Sequence, residues 1–289
     1  MTPGEQNSET GKADPPKSHG GKNLPAALVV GFSMFFLVVA GLIFWPFGVA
    51  ILMAAFAPLG CFELYKAMAT QGARAAIIPI MALAPFTVIS GYLVAFDATL
   101  GYLPWVFIAV TVFVALLWRM PKGASGYVRD VTASAFIILY VTGLASFIGP
   151  VLAMTDGAAK LAVIFMCVVA SDTGGYALGA SIGKHKMAPA ISPKKTWEGL
   201  IGSVLLACIV GGISFVFLLG QPWWVGVLLA ILLTAFGTLG DLVESLIKRD
   251  IGIKDMSSIL PGHGGIMDRL DSILVGIPAG WGFFMLFGL

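Results

Sequence analysis

The chain has 289 residues and is strongly apolar, since 58% of them are hydrophobic and the mean hydropathy is +0.94. Charged residues make up 11% of the chain, against about 25% in a typical soluble domain, so they could not cover a water-exposed surface. The composition therefore indicates an integral membrane protein. It excludes a disordered chain, a disulfide scaffold and a nucleic-acid-binding domain.

The predicted elements begin after a polar N-terminal tail. Residues 1–23 are rich in Gly, Pro and Ser, and we expect them to be disordered. From residue 24 onward about nine apolar segments recur, each long enough to cross about 30 Å of hydrocarbon as a helix. They lie at 25–44, 46–65, 75–95, 103–119, 131–150, 161–180, 199–219, 222–242 and 272–289. Because the alternation of a membrane β-barrel is absent, the predicted fold is all-α, a polytopic protein with about nine transmembrane helices.

The positions of Lys and Arg predict the orientation of these helices. With the N-terminus in the cytoplasm, sixteen of the seventeen Lys and Arg residues fall in cytoplasmic segments, as the positive-inside rule requires. Lys160 alone is predicted on the opposite side, and there we expect its replacement by Ala to be close to neutral. The predicted location is the cytoplasmic membrane, with the active-site loops facing the cytoplasm.

Two predicted cytoplasmic connections concentrate the polar chemistry. Residues 171–198 and 241–272 together hold eight of the fifteen acids and eight of the seventeen Lys and Arg residues. We therefore divide the chain into a disordered tail (1–23), an N-terminal transmembrane region (24–160) and a catalytic transmembrane region (161–289).

The second connection has the residues of a cation and polyphosphate site. Asp241, Glu244, Ser245 and Lys248 are spaced i, i+3, i+4 and i+7, which places them on one face of a helix that continues the eighth span. Further along, Asp268 follows a basic, glycine-rich stretch. Mg²⁺ takes one or two protein carboxylates together with phosphate oxygens, so two aspartates that flank such a stretch suit it.

Glycines and bases between those aspartates are suited to phosphate. Gly264 and Gly265 allow close backbone approach, and we expect their N–H groups to be free for phosphate oxygens. The alternative is a solvated loop whose Lys248 and Arg249 face anionic lipid headgroups. That alternative explains the acids and glycines badly.

The first connection adds an acid near the membrane and a cluster of lysines. Asp172 lies within or near the end of the sixth span, where an ionisable group is costly and marks a candidate site. The glycines after it permit a helix break or close packing, and the alternative is a packing patch in which Asp172 pairs with a base. Lys194 and Lys195 suit a triphosphate or a lipid phosphate. Neither GxxxxGK[ST] nor GxGxxG after a strand is present, so a P-loop or Rossmann site is excluded.

Several of these blocks resemble one known family. Residues 245–271, from Ser-Leu-Ile-Lys-Arg through Leu-Pro-Gly-His-Gly-Gly-Ile-Met-Asp-Arg-Leu-Asp, resemble without a gap the signature of the phosphatidate cytidylyltransferase, or CDP-diacylglycerol synthase, family. Residues 171–176, 183–186 and 192–199 are similar to other blocks of that family, with Gly175 where Ala is more usual.

The resemblance implies a reaction and a set of site residues. The reaction is Mg²⁺-dependent transfer of a cytidylyl group from CTP to phosphatidate, giving CDP-diacylglycerol and diphosphate, by a membrane-embedded homodimer with no nucleic-acid partner. A second, monovalent cation at the site is left open. The implied metal ligands are Asp241 and Asp268, which together with Lys248 and Arg249 form the catalytic set. The candidates for phosphate binding are Lys194, Lys195, Lys254, His263, Gly264, Gly265 and Arg269. The supporting residues are Asp172, Glu244, Ser245 and Asp271.

Two other functions fit the composition. An ion or solute transporter would also place aspartates within spans, but it needs polar access from both sides, and here the polar residues cluster on one. A membrane transferase that joins polyprenyl phosphate to a nucleotide sugar would use the same acids and bases, and an assay of CTP against nucleotide sugars distinguishes the two.

Overall fold

The computed structural model describes residues 36–257, 259 and 264–289. Within those ranges eight helices are long and apolar enough to cross a membrane, and they match the predicted spans from residue 46 onward. The chain is thus an all-α, multi-pass membrane protein, as predicted. Of the first predicted span, 25–44, the described part is helical over 36–44, whereas the tail 1–23 lies outside the described residues.

The helices follow one another with short connections. They are α1 (36–44), α2 (Pro46–Thr70), α3 (Ile77–Ser90), α4 (Leu103–Arg119), α5 (Tyr127–Ile137), α6 (Ile148–Leu152), α7 (Gly157–Ile182), α8 (Trp197–Leu219), α9 (Trp223–Ile251) and α10 (Met267–Phe287). Gly91–Ala95, Ala98–Tyr102 and Met120–Lys122 form 3-10 turns, and Ile138–Gly143 is a π-helical stretch that follows α5 directly.

The connection predicted at 171–198 differs from the expectation in two ways. Its first part is helical, because α7 continues to Ile182. Its second part is an antiparallel hairpin of β1 (Lys186–Ala188) and β2 (Ser192–Thr196), which the sequence analysis did not predict. The hairpin is fastened at its base, where the Trp197 amide donates to the His185 carbonyl at 3.0 Å.

Small residues bring α7 and α8 into backbone contact. A Cβ atom on Gly174 would lie 2.3 Å from the Gly202 carbonyl oxygen, and one on Gly202 would lie 2.4 Å from that of Gly174. The Ser203 hydroxyl also donates to the Ser171 carbonyl at 2.7 Å. Of the two possibilities for the glycines after Asp172, the structure therefore has close packing and no helix break.

The predicted continuation of the eighth span as a helix through Lys248 is confirmed, because α9 extends to Ile251. At 29 residues α9 is about 43 Å long, more than the hydrocarbon thickness of about 30 Å, so its polar end extends beyond an apolar span. α10 begins at Met267, so the polar residues that precede the predicted apolar span 272–289 are also helical, and Asp268 and Asp271 lie in its first turns. The two helices touch where the Ser272 hydroxyl donates to the Gly237 carbonyl at 3.3 Å.

Lys160 departs from the sequence expectation. The sequence analysis placed it between the predicted spans 131–150 and 161–180, but it lies in the first turn of α7 and is only 5% exposed. Its Nζ lies 5.6 Å from the centroid of the Phe284 ring of α10, a distance at which a cation–π attraction operates. We therefore expect the replacement of Lys160 by Ala to lower the stability of the fold, whereas the sequence analysis predicted a nearly neutral change.

Candidate functional site

A cavity of about 490 Å³ lies where α7, β2, α8, α9 and α10 meet, within the size range of small-molecule sites. Its walls come from both of the segments that the sequence analysis singled out. The charged residues that line it are Asp172, Asp241, Asp255, Asp268, Asp271, Lys194, Lys195, Lys248 and Arg269. Five acids and four bases thus face one cavity, an arrangement suited to phosphates and a cation together.

Asp241 is held on the wall by a lysine from the hairpin. Its Oδ2 lies 2.7 Å from Nζ of Lys195, and its Oδ1 accepts from the Ser245 hydroxyl at 3.3 Å. Lys195 also donates to the Thr238 carbonyl at 3.3 Å, so its ammonium group joins β2 to α9. The Asp241 side chain remains 36% exposed, which leaves it open to a ligand in the cavity.

Asp268 is held more tightly, at the first turn of α10. Its Oδ1 accepts from Nζ of Lys248 at 2.8 Å, while its Oδ2 accepts from the amides of Met256 at 2.9 Å and Gly265 at 2.8 Å. The Gly265 N–H, which we expected to be free for phosphate, is thus bound to a carboxylate. Gly264 has φ +80° and lies so close that a Cβ would be 3.0 Å from Asp268 Oδ2. Both glycines let the backbone close around Asp268.

Glu244 is the acid with unused hydrogen-bonding capacity. It is fully buried on α9, and among the described residues neither of its oxygens accepts a hydrogen bond of normal geometry. Its Oε2 lies 3.2 Å from Nζ of Lys248, which is 13% exposed and contacts Asp268 as well. A buried carboxylate is costly unless it is paired, and Lys248 supplies the counter-charge of Glu244. The predicted shared face of Asp241, Glu244, Ser245 and Lys248 is borne out by these contacts.

Some predicted site residues lie elsewhere. Arg249 is exposed, does not line the cavity, and donates from Nε to the Ile191 carbonyl of the hairpin at 3.1 Å. Lys254 is exposed and also absent from the cavity wall, whereas its neighbour Asp255, which the sequence analysis did not single out, lines it. His263 lies outside the described residues.

The hairpin base contains another acid–base contact. His185 Nδ1 lies 2.5 Å from Glu198 Oε1, and the His185 amide lies 3.2 Å from both oxygens of the same carboxylate. Glu198 therefore fastens the hairpin to α8.

The donor set fits a hard divalent cation. In the described part of the chain no group of three or more His, Cys, Asp or Glu side chains forms a preformed metal site. Mg²⁺, however, is usually bound through one or two carboxylates and completed by substrate phosphates. Several aspartates line the cavity and the buried carboxylate of Glu244 lies close to them, so the residues present suit such an ion.

One residue that contributes to this region was missed altogether. Glu63 of α2 is 1% exposed and accepts hydrogen bonds from the backbone at the start of α10. Glu63 lies within the predicted span 46–65, where an ionisable group marks a candidate site by the rule applied to Asp172, and this signal could have found it. Its partners could not be predicted, because they lie some two hundred positions away.

Comparisons with known proteins agree with this geometry. Residues 25–287 match the model of the cytidylyltransferase family, a range that includes the whole cavity wall. The chain is 38% identical to the phosphatidate cytidylyltransferase of Mycobacterium leprae, with 90% of this chain and 87% of the relative covered. It is 35% identical to that of Mycobacterium bovis, with 96% and 94% covered. The one of Staphylococcus haemolyticus is 46% identical over 43% of this chain and 48% of its own length.

Proposed function

The chain belongs to the cytidylyltransferase family, and from that membership we propose that its acid-lined cavity is where the cytidylyl group of CTP is transferred to phosphatidate, with Mg²⁺ as the cation. The chain is a nucleotidyltransferase, and synthesis of CDP-diacylglycerol is the activity that the family and its relatives support. One observation carries the assignment of the site. Acids and bases of both polar segments line a single cavity at the polar end of α9.

The reaction needs charge neutralisation more than a base. A phosphate oxygen of phosphatidate attacks the α-phosphorus of CTP in line, the bond to the β-phosphate oxygen breaks, and diphosphate leaves. Because a phosphate dianion is already a competent nucleophile, no strong general base is required. Lys194, Lys195, Lys248 and Arg269 face the cavity, where their charges offset those of the two anionic substrates and the departing diphosphate.

Asp241 and Asp268 are the proposed metal ligands. When bound, Mg²⁺ neutralises phosphate charge and polarises the phosphoryl oxygens. The chain's own contribution is orientation, since Lys195 holds Asp241 and Lys248 holds Asp268 before substrates arrive. The proposal includes a second, monovalent cation at the same site, and no residue is assigned to it. The family resemblance extends the proposal to a homodimer.

The proposal places the cavity on the cytoplasmic side of the cell membrane. The partition of Lys and Arg supports this orientation, because the lysines of the hairpin and of α9 belong to the positive side. Tyr176, which is 80% exposed, and Leu200 also line the cavity, and an apolar part of the wall suits a lipid whose acyl chains stay in the bilayer.

Product identity tests the proposed function. Purified protein in detergent is given CTP and phosphatidate, with and without Mg²⁺, and the lipid product is identified by mass spectrometry. We expect CDP-diacylglycerol and diphosphate only when the metal is present. Product from polyprenyl phosphate and a nucleotide sugar, with none from CTP and phosphatidate, would contradict the proposal.

A further inference from the structure

Glu63 joins the N-terminal half of the chain to the edge of the cavity. It is buried on α2, and its Oε1 accepts from the Ser257 hydroxyl at 2.5 Å and from the Ile266 amide at 2.9 Å. Its Oε2 accepts from the Met267 amide at 2.9 Å. Glu63 is not part of the cavity wall, so any effect on the reaction must pass through other residues.

The contacts of Glu63 interleave with those of Asp268. On the N-terminal side of the segment between 257 and 265, the Met256 amide donates to Asp268 and the Ser257 hydroxyl donates to Glu63. On its C-terminal side the same two carboxylates accept from neighbouring amides, since Gly265 donates to Asp268 and Ile266 donates to Glu63. Two carboxylates therefore hold both flanks of the segment between 257 and 265. The position of each carboxylate depends on the backbone that the other one holds.

The surface of α2 is shaped to receive the start of α10. A Cβ on Gly265 would lie 2.6 Å from Glu63 Oε2, so the close approach of backbone and carboxylate requires glycine there. One turn before Glu63, a Cβ on Gly60 would lie 3.1 Å from Sδ of Met267, which is fully buried. The carboxylate also satisfies amides at a helix N-terminus, where negative charge is stabilised by the helix dipole.

We propose that Glu63 is a positioning residue for the transfer reaction, which fixes the first turn of α10 so that Asp268 faces Lys248 and the cavity. The inference rests on the proposed function of the cavity. The Asp268–Lys248 contact of 2.8 Å is made by the side chain of the second residue of α10, directly after the Met267 amide that Glu63 holds. A displacement of about 1 Å at such a point is enough to cost on the order of 100-fold in rate.

The test uses Glu63→Gln, which keeps the size of the side chain but replaces one acceptor oxygen with an NH₂ donor. We expect kcat to fall about 10- to 100-fold, and the Mg²⁺ concentration for half-maximal activity to rise, while KM for phosphatidate stays within about twofold. Amide hydrogen exchange at 264–270 should accelerate, and this readout requires neither metal nor turnover. Ser257→Ala, which removes one donor to Glu63, should shift the same quantities less.

Asp130→Asn is the matched control, because Asp130 is also a buried carboxylate that accepts a backbone amide but lies away from the cavity. It should lower thermal stability with unchanged kcat and Mg²⁺ dependence per folded molecule. Folded Glu63→Gln with wild-type kinetics and wild-type exchange at 264–270, or with lowered stability only, would overturn the proposal. If the wild type made no CDP-diacylglycerol, the proposed function would fail, and exchange at 264–270 would still decide whether Glu63 holds α10.

Discussion

Two groups of acids in this molecule differ in how completely their oxygens are used. Asp130 of α5 is 2% exposed, and it accepts from Arg119 Nε at 2.6 Å and from the Arg74 amide at 2.8 Å. Arg119 in turn donates to the carbonyls of Gly123 at 3.1 Å and Ser125 at 2.6 Å. This closed network joins α4 and α5 to the connection between α2 and α3, and Asp130 does not line the cavity.

The acids of the cavity form an open network. The two oxygens of Asp241 contact one lysine and one hydroxyl, and the side chain is partly exposed to the cavity. Glu244 is buried without a normal hydrogen bond among the described residues. Burial and ion pairing are common to both groups, so they do not by themselves identify a substrate-binding site. A site is marked by carboxylates with remaining acceptor capacity beside an open space.

The largest effect should come from Asp268→Asn, because Asp268 lines the cavity and its carboxylate also accepts three hydrogen bonds. The Asn side chain carries no negative charge toward the cavity, and its NH₂ group would disturb the contacts with Lys248 and two backbone amides. We expect a loss of about 100- to 1000-fold in CDP-diacylglycerol formation, together with a lower unfolding temperature. Near-normal turnover across a Mg²⁺ titration would remove Asp268 from the metal site.

Asp130→Asn should break the closed network without touching the chemistry. Removing one partner of a buried ion pair costs about 3–5 kcal/mol, because Arg119 is left without a counter-charge. Thermal unfolding in detergent measures the loss, and activity per folded molecule should equal that of the wild type. A selective loss of turnover at unchanged stability would erase the distinction between the two networks.

A comparison of the adjacent bases Lys248 and Arg249 tests which residues belong to the site. Lys248 contacts Glu244 and Asp268, whereas Arg249 is exposed and donates to the hairpin backbone. We expect Lys248→Ala to lose about ten times more activity than Arg249→Ala, because only the former leaves buried acids unpaired. Initial rates at saturating CTP and phosphatidate measure both variants. Equal losses would mean that Arg249 reaches the substrates in a way that the cavity wall does not explain.

The smallest effect is predicted for Lys160→Ala. Loss of the buried side chain over Phe284 should lower the free energy of unfolding by about 1–2 kcal/mol and leave turnover unchanged. Differential scanning measurements on purified protein check the stability, and an unaltered unfolding temperature would restore the original expectation that this lysine is dispensable.

Local patterns in the sequence predicted most of the fold. Span positions depend on hydropathy over about twenty residues, so they could be found without knowing which helices touch. The same holds for the polar face of α9, since the spacing of Asp241, Glu244 and Lys248 is a property of one helix. The resemblance to known motifs then brought Asp268 to the same site.

The remaining features depend on contacts between distant segments. The position of Glu63 within a span was a local signal, but its partners, which begin at Ser257, were not predictable from the sequence. The Gly265 amide could face a phosphate or a carboxylate, and only the tertiary arrangement places Asp268 next to it. Lys160 was placed between two spans, because the sequence does not reveal that its ammonium group lies over an aromatic ring of α10.

The most direct test of the central claim compares Asp241→Asn with the wild type across a Mg²⁺ titration, with CDP-diacylglycerol as the measured product. Asp241 is partly exposed, and within the described ranges its partners are the side chains of Lys195 and Ser245, so the variant should fold normally. We predict wild-type unfolding temperature within a few degrees and turnover reduced about 100-fold at every metal concentration. Wild-type turnover over the whole titration would contradict the assignment of this cavity as the metal-dependent transfer site.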